Sequence, residues 1–197
     1  HYTVHTPIEG KPGLVAKYEA KARKLGLDRM EALKQGEPFP FVEKREKHIV
    51  RRLIQSDPGY AAMVENLDEN VGRLVRALEE TGQADNTVIV FTSDNGGLAT
   101  AEGSPTTNLP LREGKGWMEE GGTRVPLSVT WPGTVKAGVR CAVPVTGADL
   151  FPTFLEAAGL PELPSQHRDG MSILPLVRGA DRLGREAVFW HYPHYSN

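Results

Sequence analysis

The spacing of apolar residues defines one long helix in the first half of the chain. Apolar side chains recur every three or four positions over residues 60–78, which would place them along one face of a helix. Asp57 precedes this stretch as a capping residue, and Pro58 suits the first helical turn. A shorter stretch of helical composition, residues 14–25, ends near Gly26. The pattern therefore predicts two helices ahead of the first clear strand.

Continuous apolar stretches predict the strands. Residues 87–91 are β-branched or apolar without alternation, which is typical of a strand covered on both faces in a parallel sheet. Residues 125–131 have strand composition, and the short stretches 143–145 and 187–190 are predicted as further strands. A short apolar helix is expected after Asp149. This order of helices and strands predicts an α/β fold with a mostly parallel sheet flanked by helices.

A polar, glycine-rich loop begins where the strand at 87–91 ends. Ligands in α/β folds bind beyond the carboxyl ends of strands, so chemistry is expected here. The Asp94 carboxylate and the Asn95 amide carbonyl are hard oxygen donors that suit Ca²⁺ or Mg²⁺. Gly96 and Gly97 allow the backbone to turn sharply and approach a ligand. The same residues are common in plain turns, so on this loop alone a metal site and a turn remain alternatives.

Four further side chains are candidates for binding an anion or a substrate. Lys115 lies between two glycines and can extend towards sulfate or phosphate as a point charge, although an exposed loop lysine is the alternative. His5 can donate a hydrogen bond or a proton to an oxygen, or be an ordinary loop histidine. His191 and His194 lie among aromatic residues and are candidates for a substrate pocket or a metal pair.

Composition narrows the class of protein. The 197 residues are 39% apolar and 24% charged, as in ordinary globular proteins, and we expect a single domain over 1–197. No apolar stretch is long enough to span a membrane, and no signal peptide is visible. A single cysteine, Cys141, excludes an intramolecular disulfide framework. The net charge of −2 and the lack of a recognised motif argue against nucleic-acid binding.

Charge is concentrated in one segment. Residues 11–52 carry 12 Lys or Arg against 6 Asp or Glu, and we expect this basic segment to be helical. Such a segment can attract anionic ligands. The alternative is a solvated helical face, because the basic residues alternate with Glu and Ala.

Taken in order, the motifs resemble the sulfatase family of the alkaline phosphatase superfamily. The matching stretches are His5-Thr6-Pro7, 63–78, 86–97, 114–116 with 120–126, and 149–153. The resemblance covers essentially the whole chain. It implies the α/β fold of that family, incomplete in this chain, and hydrolysis of sulfate esters by a formylglycine nucleophile with a divalent metal, usually Ca²⁺ and alternatively Mg²⁺.

The resemblance also implies roles for individual residues. Asp94 and Asn95 match the family's metal ligands. Lys115 matches the lysine that contacts the sulfate group, and His5 matches a histidine that hydrogen-bonds the sulfate near the leaving oxygen. The stretch 120–126 is expected to shape the loop that aims Lys115.

The chain also departs from the family pattern. The family's formylglycine forms from a Cys/Ser-x-Pro-x-Arg motif, which is absent, since no arginine stands in register after Cys141. The paired acidic metal ligands of the family's N-terminal part are also missing. The chain therefore resembles the middle-to-late part of a sulfatase, and alone it is expected to be inactive. His191 and His194 fall where the family enters its C-terminal subdomain, which makes substrate contact a hypothesis.

Several alternatives stay open from the sequence. One is a phosphohydrolase or phosphodiesterase of the same superfamily, and another is a non-catalytic module that binds sulfated polyanions through residues 11–52. Sulfated glycans, aryl sulfates and choline sulfate are all candidate substrates. The oligomeric state and the compartment are not determined by the sequence, although the resemblance implies export or a periplasmic location.

Overall fold

The computed structural model of the chain describes residues 2–40 and 42–192. The helices in this part of the chain are α1 (Pro12–Leu25), α2 (Pro58–Glu80), α3 (Glu120–Thr123), α4 (Leu150–Ala157) and α5 (Leu174–Val177). The strands are β1 (Leu33–Pro38), β2 (His48–Arg52), β3 (Ile89–Thr92) and β4 (Leu127–Thr130). None of the helices in the described ranges is both long enough and apolar enough to cross a membrane.

The chain divides into two compact units. The first comprises the described residues within 1–81, 95–126 and 192–197, and the second comprises residues 82–94 and 127–191. The chain therefore passes from the second unit into the first between Asp94 and Asn95.

Helices α1 and α2 of the first unit form where the sequence predicts them. The carboxylate of Asp57 accepts a hydrogen bond from the Tyr60 amide at 2.9 Å and caps α2. Helix α1 ends at Gly26, whose φ of 69° is left-handed. The two helices are joined by an ion pair of 2.6 Å between Lys17 Nζ and Glu65 Oε1. Both predicted helices are confirmed.

The prediction that the whole basic segment 11–52 is helical is wrong. Beyond α1 and two short 3₁₀ turns, β1 and β2 form an antiparallel hairpin in which Leu33 pairs with Arg52. Gly36 and Pro38 are poor helix formers, and the β-branched Ile49 is completely buried when it lies in a strand. Tertiary burial of this strand therefore outweighs the helical composition of the basic residues.

The core of the first unit includes the start of the long glycine-rich loop. Leu98, Ala99, Thr100, Ser104 and Thr106 are all buried. Apart from α3, the stretch 98–123 contains no helix or strand, as predicted from its composition. The loop is therefore a packed structure that can hold side chains in defined positions.

The second unit contains the strand that ends at the polar loop. Strand β3 pairs with β4 in antiparallel register, with Ile89 opposite Thr130. The predicted parallel pairing is not present between these strands, and Phe91 is 41% exposed because the pair is not covered on both faces. The predicted strands at 143–145 and 187–190, which lie in the described part, have no regular structure.

Helix α4 forms as predicted, but Asp149 does more than precede it. Its carboxylate accepts hydrogen bonds from the amides of Thr146 and Met171, at 2.7 and 2.9 Å. It also pairs with the guanidinium of Arg185. The buried Asp149 carboxylate thus links the start of α4 to Thr146, Met171 and Arg185.

Candidate functional site

The structure brings His5 and Lys115 together in the first unit. Lys115 Nζ lies 2.7 Å from His5 Nε2, and His5 Nδ1 lies 2.8 Å from the carbonyl oxygen of Thr6. An ammonium group can only donate, so Nε2 accepts and Nδ1 carries the ring proton. With Nε2 protonated as well, an imidazolium and an ammonium that meet at one point can both donate to an oxyanion. The two candidates from the sequence therefore form one site, and their roles toward a substrate remain predictions.

Close contact between glycine backbones places Lys115. The Lys115 amide donates to Gly97 O at 3.1 Å, and the Gly96 amide donates to Gly122 O at 2.9 Å. A Cβ at Gly96 would lie 1.6 Å from Gly121 O, so only glycine fits this position. These contacts agree with the expectation that the stretch 120–126 shapes the Lys115 loop. Gly96 approaches neighbouring backbone, and its approach to a ligand stays a prediction.

Asn108 joins the two glycine-rich stretches. Its Nδ2 donates to Gly97 O at 2.8 Å and to Glu113 O at 2.9 Å, while its Oδ1 accepts from the Gly97 amide at 3.1 Å. These bonds satisfy backbone groups that would otherwise lack partners in an irregular loop. Sequence reasoning missed Asn108, because an asparagine in a polar loop carries no specific signal.

Arg51 on β2 connects the hairpin to the Lys115 loop. Its Nε and Nη2 donate to the two carboxylate oxygens of Glu113 at 3.1 and 2.7 Å. Its Nη1 and Nη2 donate to the carboxylate of Glu37 at 2.9 and 2.8 Å. The hydrogen bonds from Arg51 lower the pKa of Glu37 to about 2, and the same two carboxylates raise the pKa of Arg51.

Two more residues on or just after β2 hold the preceding part of the loop. Arg52 Nε donates to Ser104 O at 2.6 Å, and Gln55 Nε2 donates to Thr106 Oγ1 at 2.7 Å. Nearer to His5, the hydroxyl of Thr6 donates to the carboxylate of Glu102. The loop that carries Lys115 is therefore tied at several points to regular structure.

The predicted metal ligands Asp94 and Asn95 are neighbours in the chain and are assigned to different units. Asp94 is exposed, two residues beyond β3 in the second unit. Asn95 is half-buried in the first unit, and its Nδ2 donates to Gly96 O at 3.0 Å, which makes Oδ1 the end of the amide suited to a cation. Their hard oxygens fit Ca²⁺ or Mg²⁺, but Ca²⁺ takes about 6–8 oxygen ligands. The described ranges hold no cluster of three His, Cys, Asp or Glu side chains arranged for a metal, so the metal site remains a prediction.

The structure does not test the roles predicted for the two C-terminal histidines. His191 is exposed, has no regular structure and belongs to the second unit. His194 lies outside the described residues. Their proposed contact with substrate therefore stays a prediction.

Comparison with known proteins gives the family. The Sulfatase family model matches residues 4–160. A protein named sulfatase from Formosa agariphila is 40% identical over 167 residues, covering 78% of this chain and 29% of that protein. Arylsulfatase A of Bos taurus is 34% identical over 191 residues, covering 92% of this chain and 37% of that protein. The chain thus spans about a third of the length of these relatives.

A solved structure supports the same assignment. It is of a protein in complex with its substrate D-glucosamine-2-N,6-O-disulfate, and it matches this chain with 32% identity and a TM-score of 0.56. The match covers 70% of this chain and 27% of that one. The family model covers well over half of this chain, and the α/β class is that of the family. The chain belongs to the sulfatase family.

Proposed function

We propose that the protein containing this chain hydrolyses sulfate esters, and that His5 and Lys115 bind the sulfate group. The observation that carries the proposal is the 2.7 Å contact between Lys115 Nζ and His5 Nε2. When both groups carry protons toward the same point, they favour an oxygen atom with developing negative charge. Family membership supports sulfate as the group that supplies this oxygen.

The two side chains would act on different atoms of the ester. The Lys115 ammonium would offset charge on the sulfate oxygens. His5 Nδ1 is held by the Thr6 carbonyl, so Nε2 is the nitrogen that faces the site. Nε2 accepts from Lys115 in the structure, and it would be released to carry a proton once the ammonium binds sulfate; that proton would then be donated to the leaving oxygen as the sulfur–oxygen bond breaks. The Thr6 contact keeps the ring oriented for that transfer.

Asp94 and Asn95 would supply ligands to a divalent cation in the complete protein. Such a cation, when bound, withdraws charge from sulfate oxygens, and a formylglycine, when present, supplies the nucleophile. The sequence of this chain lacks the motif from which formylglycine forms. We therefore expect no turnover by the 197-residue chain alone.

The substrate class that we propose is a sulfated sugar. The similar protein whose structure holds D-glucosamine-2-N,6-O-disulfate as its substrate supports this class. The Glu102 carboxylate contacts the hydroxyl of Thr6, the residue after His5, and it could accept hydrogen bonds from sugar hydroxyl or amino groups.

The alternative of a polyanion-binding module is disfavoured by the structure of the basic segment. Lys11, Lys17 and Arg51 all form ion pairs with glutamates. Cations already paired with carboxylates attract a polyanion less strongly than free ones. The solvated-face interpretation of residues 11–52 therefore fits the contacts better.

Sulfate titration of the chain tests the proposal directly. We expect inorganic sulfate to shift the Lys115 and His5 resonances, with binding lost in Lys115→Ala. Lys24→Ala, which removes an exposed lysine on α1, is the matched control and should bind sulfate as the wild type does. Equal affinity in Lys115→Ala and the wild type would overturn the assignment.

The complete protein allows a second test. Lys115→Ala should lower kcat/KM for an aryl sulfate by about 10²–10³-fold, as loss of one oxyanion donor typically does. Faster hydrolysis of the matching aryl phosphate than of the sulfate would favour the phosphohydrolase alternative. Binding of a sulfated glycan that persists in Lys115→Ala would favour the binding module.

A further inference from the structure

We propose that Arg51 is a positioning residue for Lys115, and that it acts by holding Glu113 in a conformation that directs Lys115 toward His5. The inference rests on the proposed function in one respect, namely that Lys115 binds sulfate. It adds a residue from the β1–β2 hairpin to a site that otherwise consists of loop residues.

The first support is the geometry of the Arg51–Glu113 pair. Two nitrogens of the guanidinium reach the two carboxylate oxygens of Glu113, at 3.1 and 2.7 Å. A paired fork of this kind fixes direction as well as distance, which a single contact does not. The Glu113 side chain is only 5% exposed, so water competes little for its carboxylate. The pair is therefore a directional link between a strand and the loop.

The second support is the backbone of Glu113. Its φ of 58° is left-handed, a conformation that residues other than glycine rarely adopt without surrounding contacts to hold them. The Glu113 carbonyl accepts from Asn108 Nδ2 at 2.9 Å, so Glu113 is held at its backbone and at its side chain. Lys115 follows two residues later. A change in the Glu113 dihedral angles would carry the lysine away from His5.

Arg51 does not itself serve as a sulfate ligand. Its Nε, Nη1 and Nη2 all donate to the carboxylates of Glu113 and Glu37. The guanidinium is thus neutralised by two glutamates. The Glu37 side chain is exposed and binds the same guanidinium through Nη1 and Nη2.

The location of Arg51 on a strand explains why it suits this role. Arg51 lies in β2, where Lys34 of β1 is its partner in the hairpin register. The neighbouring Ile49 is completely buried and Arg52 is 8% exposed, so this strand is anchored in the core. A site supported from an anchored strand is held more accurately than one supported by loop contacts alone.

The experiment compares Arg51→Gln, Arg51→Lys and Glu113→Gln with Glu37→Gln as the matched control in the 197-residue chain. Glu37→Gln removes the negative charge of one partner of Arg51 and leaves the Glu113 pair in place. Two readouts are taken: the ¹⁵N shifts of the His5 ring, which report the Lys115 contact without any ligand, and the affinity for inorganic sulfate. Circular dichroism confirms that each variant is folded.

We expect Arg51→Gln and Glu113→Gln to move the His5 shifts toward those of Lys115→Ala and to weaken sulfate binding. The affinity for sulfate should fall roughly 10–100-fold, the range seen when groups that orient a metal-binding side chain are removed. Arg51→Lys should retain part of the wild-type His5 shifts and sulfate affinity, and Glu37→Gln should differ little from the wild type in both.

Unchanged His5 shifts in folded Arg51→Gln and Glu113→Gln would overturn the inference, even if both variants have lower melting temperatures. That result is expected of a pair that stabilises the fold without positioning Lys115. Failure of the proposed function is a separate outcome. If Lys115→Ala keeps its sulfate affinity while Arg51→Gln alters the His5 shifts, Arg51 positions Lys115 but the lysine does not bind sulfate.

Discussion

Asp149 and Arg185 form a buried bidentate pair in the second unit. Arg185 Nη1 and Nη2 lie 2.6 Å from the two carboxylate oxygens of Asp149, whose side chain is completely buried. Arg185 also donates to Pro144 O at 3.1 Å, so the pair joins three separated parts of the chain. This contact connects the start of α4 with a segment that has no regular structure of its own.

Removing one partner of this pair should destabilise the second unit strongly. Arg185→Met leaves the buried Asp149 carboxylate without its cation, and Asp149→Asn leaves the half-buried Arg185 without its anion. The expected loss is about 3–5 kcal/mol in the free energy of unfolding. Urea denaturation followed by circular dichroism measures it. Arg178→Met is the control, since its contact with Glu156 is exposed at 3.8 Å and such pairs contribute about 0–1 kcal/mol. Equal losses in Arg178→Met and Arg185→Met would contradict the role of the buried pair.

The same pair predicts how stability depends on pH. Burial acts to raise the pKa of Asp149, but the hydrogen bonds from Arg185 and from the amides of Thr146 and Met171 outweigh it and lower the pKa below its ordinary value. A carboxyl whose pKa is lower in the folded state stabilises the fold above its unfolded pKa of about 3.9. That stabilisation is lost as the pH falls through the folded pKa.

Glu37 should add to the acid dependence in the first unit, since its pKa is lowered to about 2. We expect the melting temperature of the wild type to fall as the pH drops from 5 towards 2. Asp149→Asn should melt at a lower temperature than the wild type at pH 5, and its melting temperature should fall less over the same pH range. A pH profile of Asp149→Asn parallel to that of the wild type would show that Asp149 does not contribute.

Adding one methyl group at Gly96 should disrupt the Lys115 loop. The new Cβ would lie 1.6 Å from Gly121 O, which is backbone and cannot rotate away. We expect Gly96→Ala to lose at least about 1–3 kcal/mol of stability and to lose sulfate binding.

Gly13→Ala is the control for Gly96→Ala. No atom lies within 4 Å of a Cβ added at Gly13, which belongs to α1. Alanine there should leave stability unchanged or raise it by about 0.5–1 kcal/mol. Thermal melting and sulfate titration of both variants distinguish a local clash from a general intolerance of alanine.

Calcium titration tests the metal ligands. The chain supplies Asp94 and Asn95 as hard oxygen ligands, so we expect weak binding by calorimetry, abolished in Asp94→Ala and retained in Asp85→Ala, a change at another exposed aspartate of the second unit. Tight binding that persists in Asp94→Ala would refute the assignment of Asp94. The absence of binding by the folded wild-type chain would mean that Asp94 and Asn95 do not form a calcium site without further ligands.

The regular elements that follow from local signals were predictable from the sequence. Helices α1, α2 and α4 depend on apolar spacing and on capping residues within a few positions, such as Asp57 before α2. Strand β4 is bounded by prolines and has strand composition. The hairpin of β1 and β2 was missed, because the pairing of Leu33 with Arg52 depends on a distant contact and on burial of Ile49.

The candidate site residues His5, Lys115, Asp94 and Asn95 were identified from the sequence, as was the motif order that resembles the sulfatase family. The contacts between distant residues came from the fold: His5 meets Lys115, 110 residues away, and Arg51 holds Glu113, 62 residues away. The reason is physical. Caps and periodicity act between neighbours in the chain, whereas these pairs depend on loop closure and on burial that the whole first unit creates.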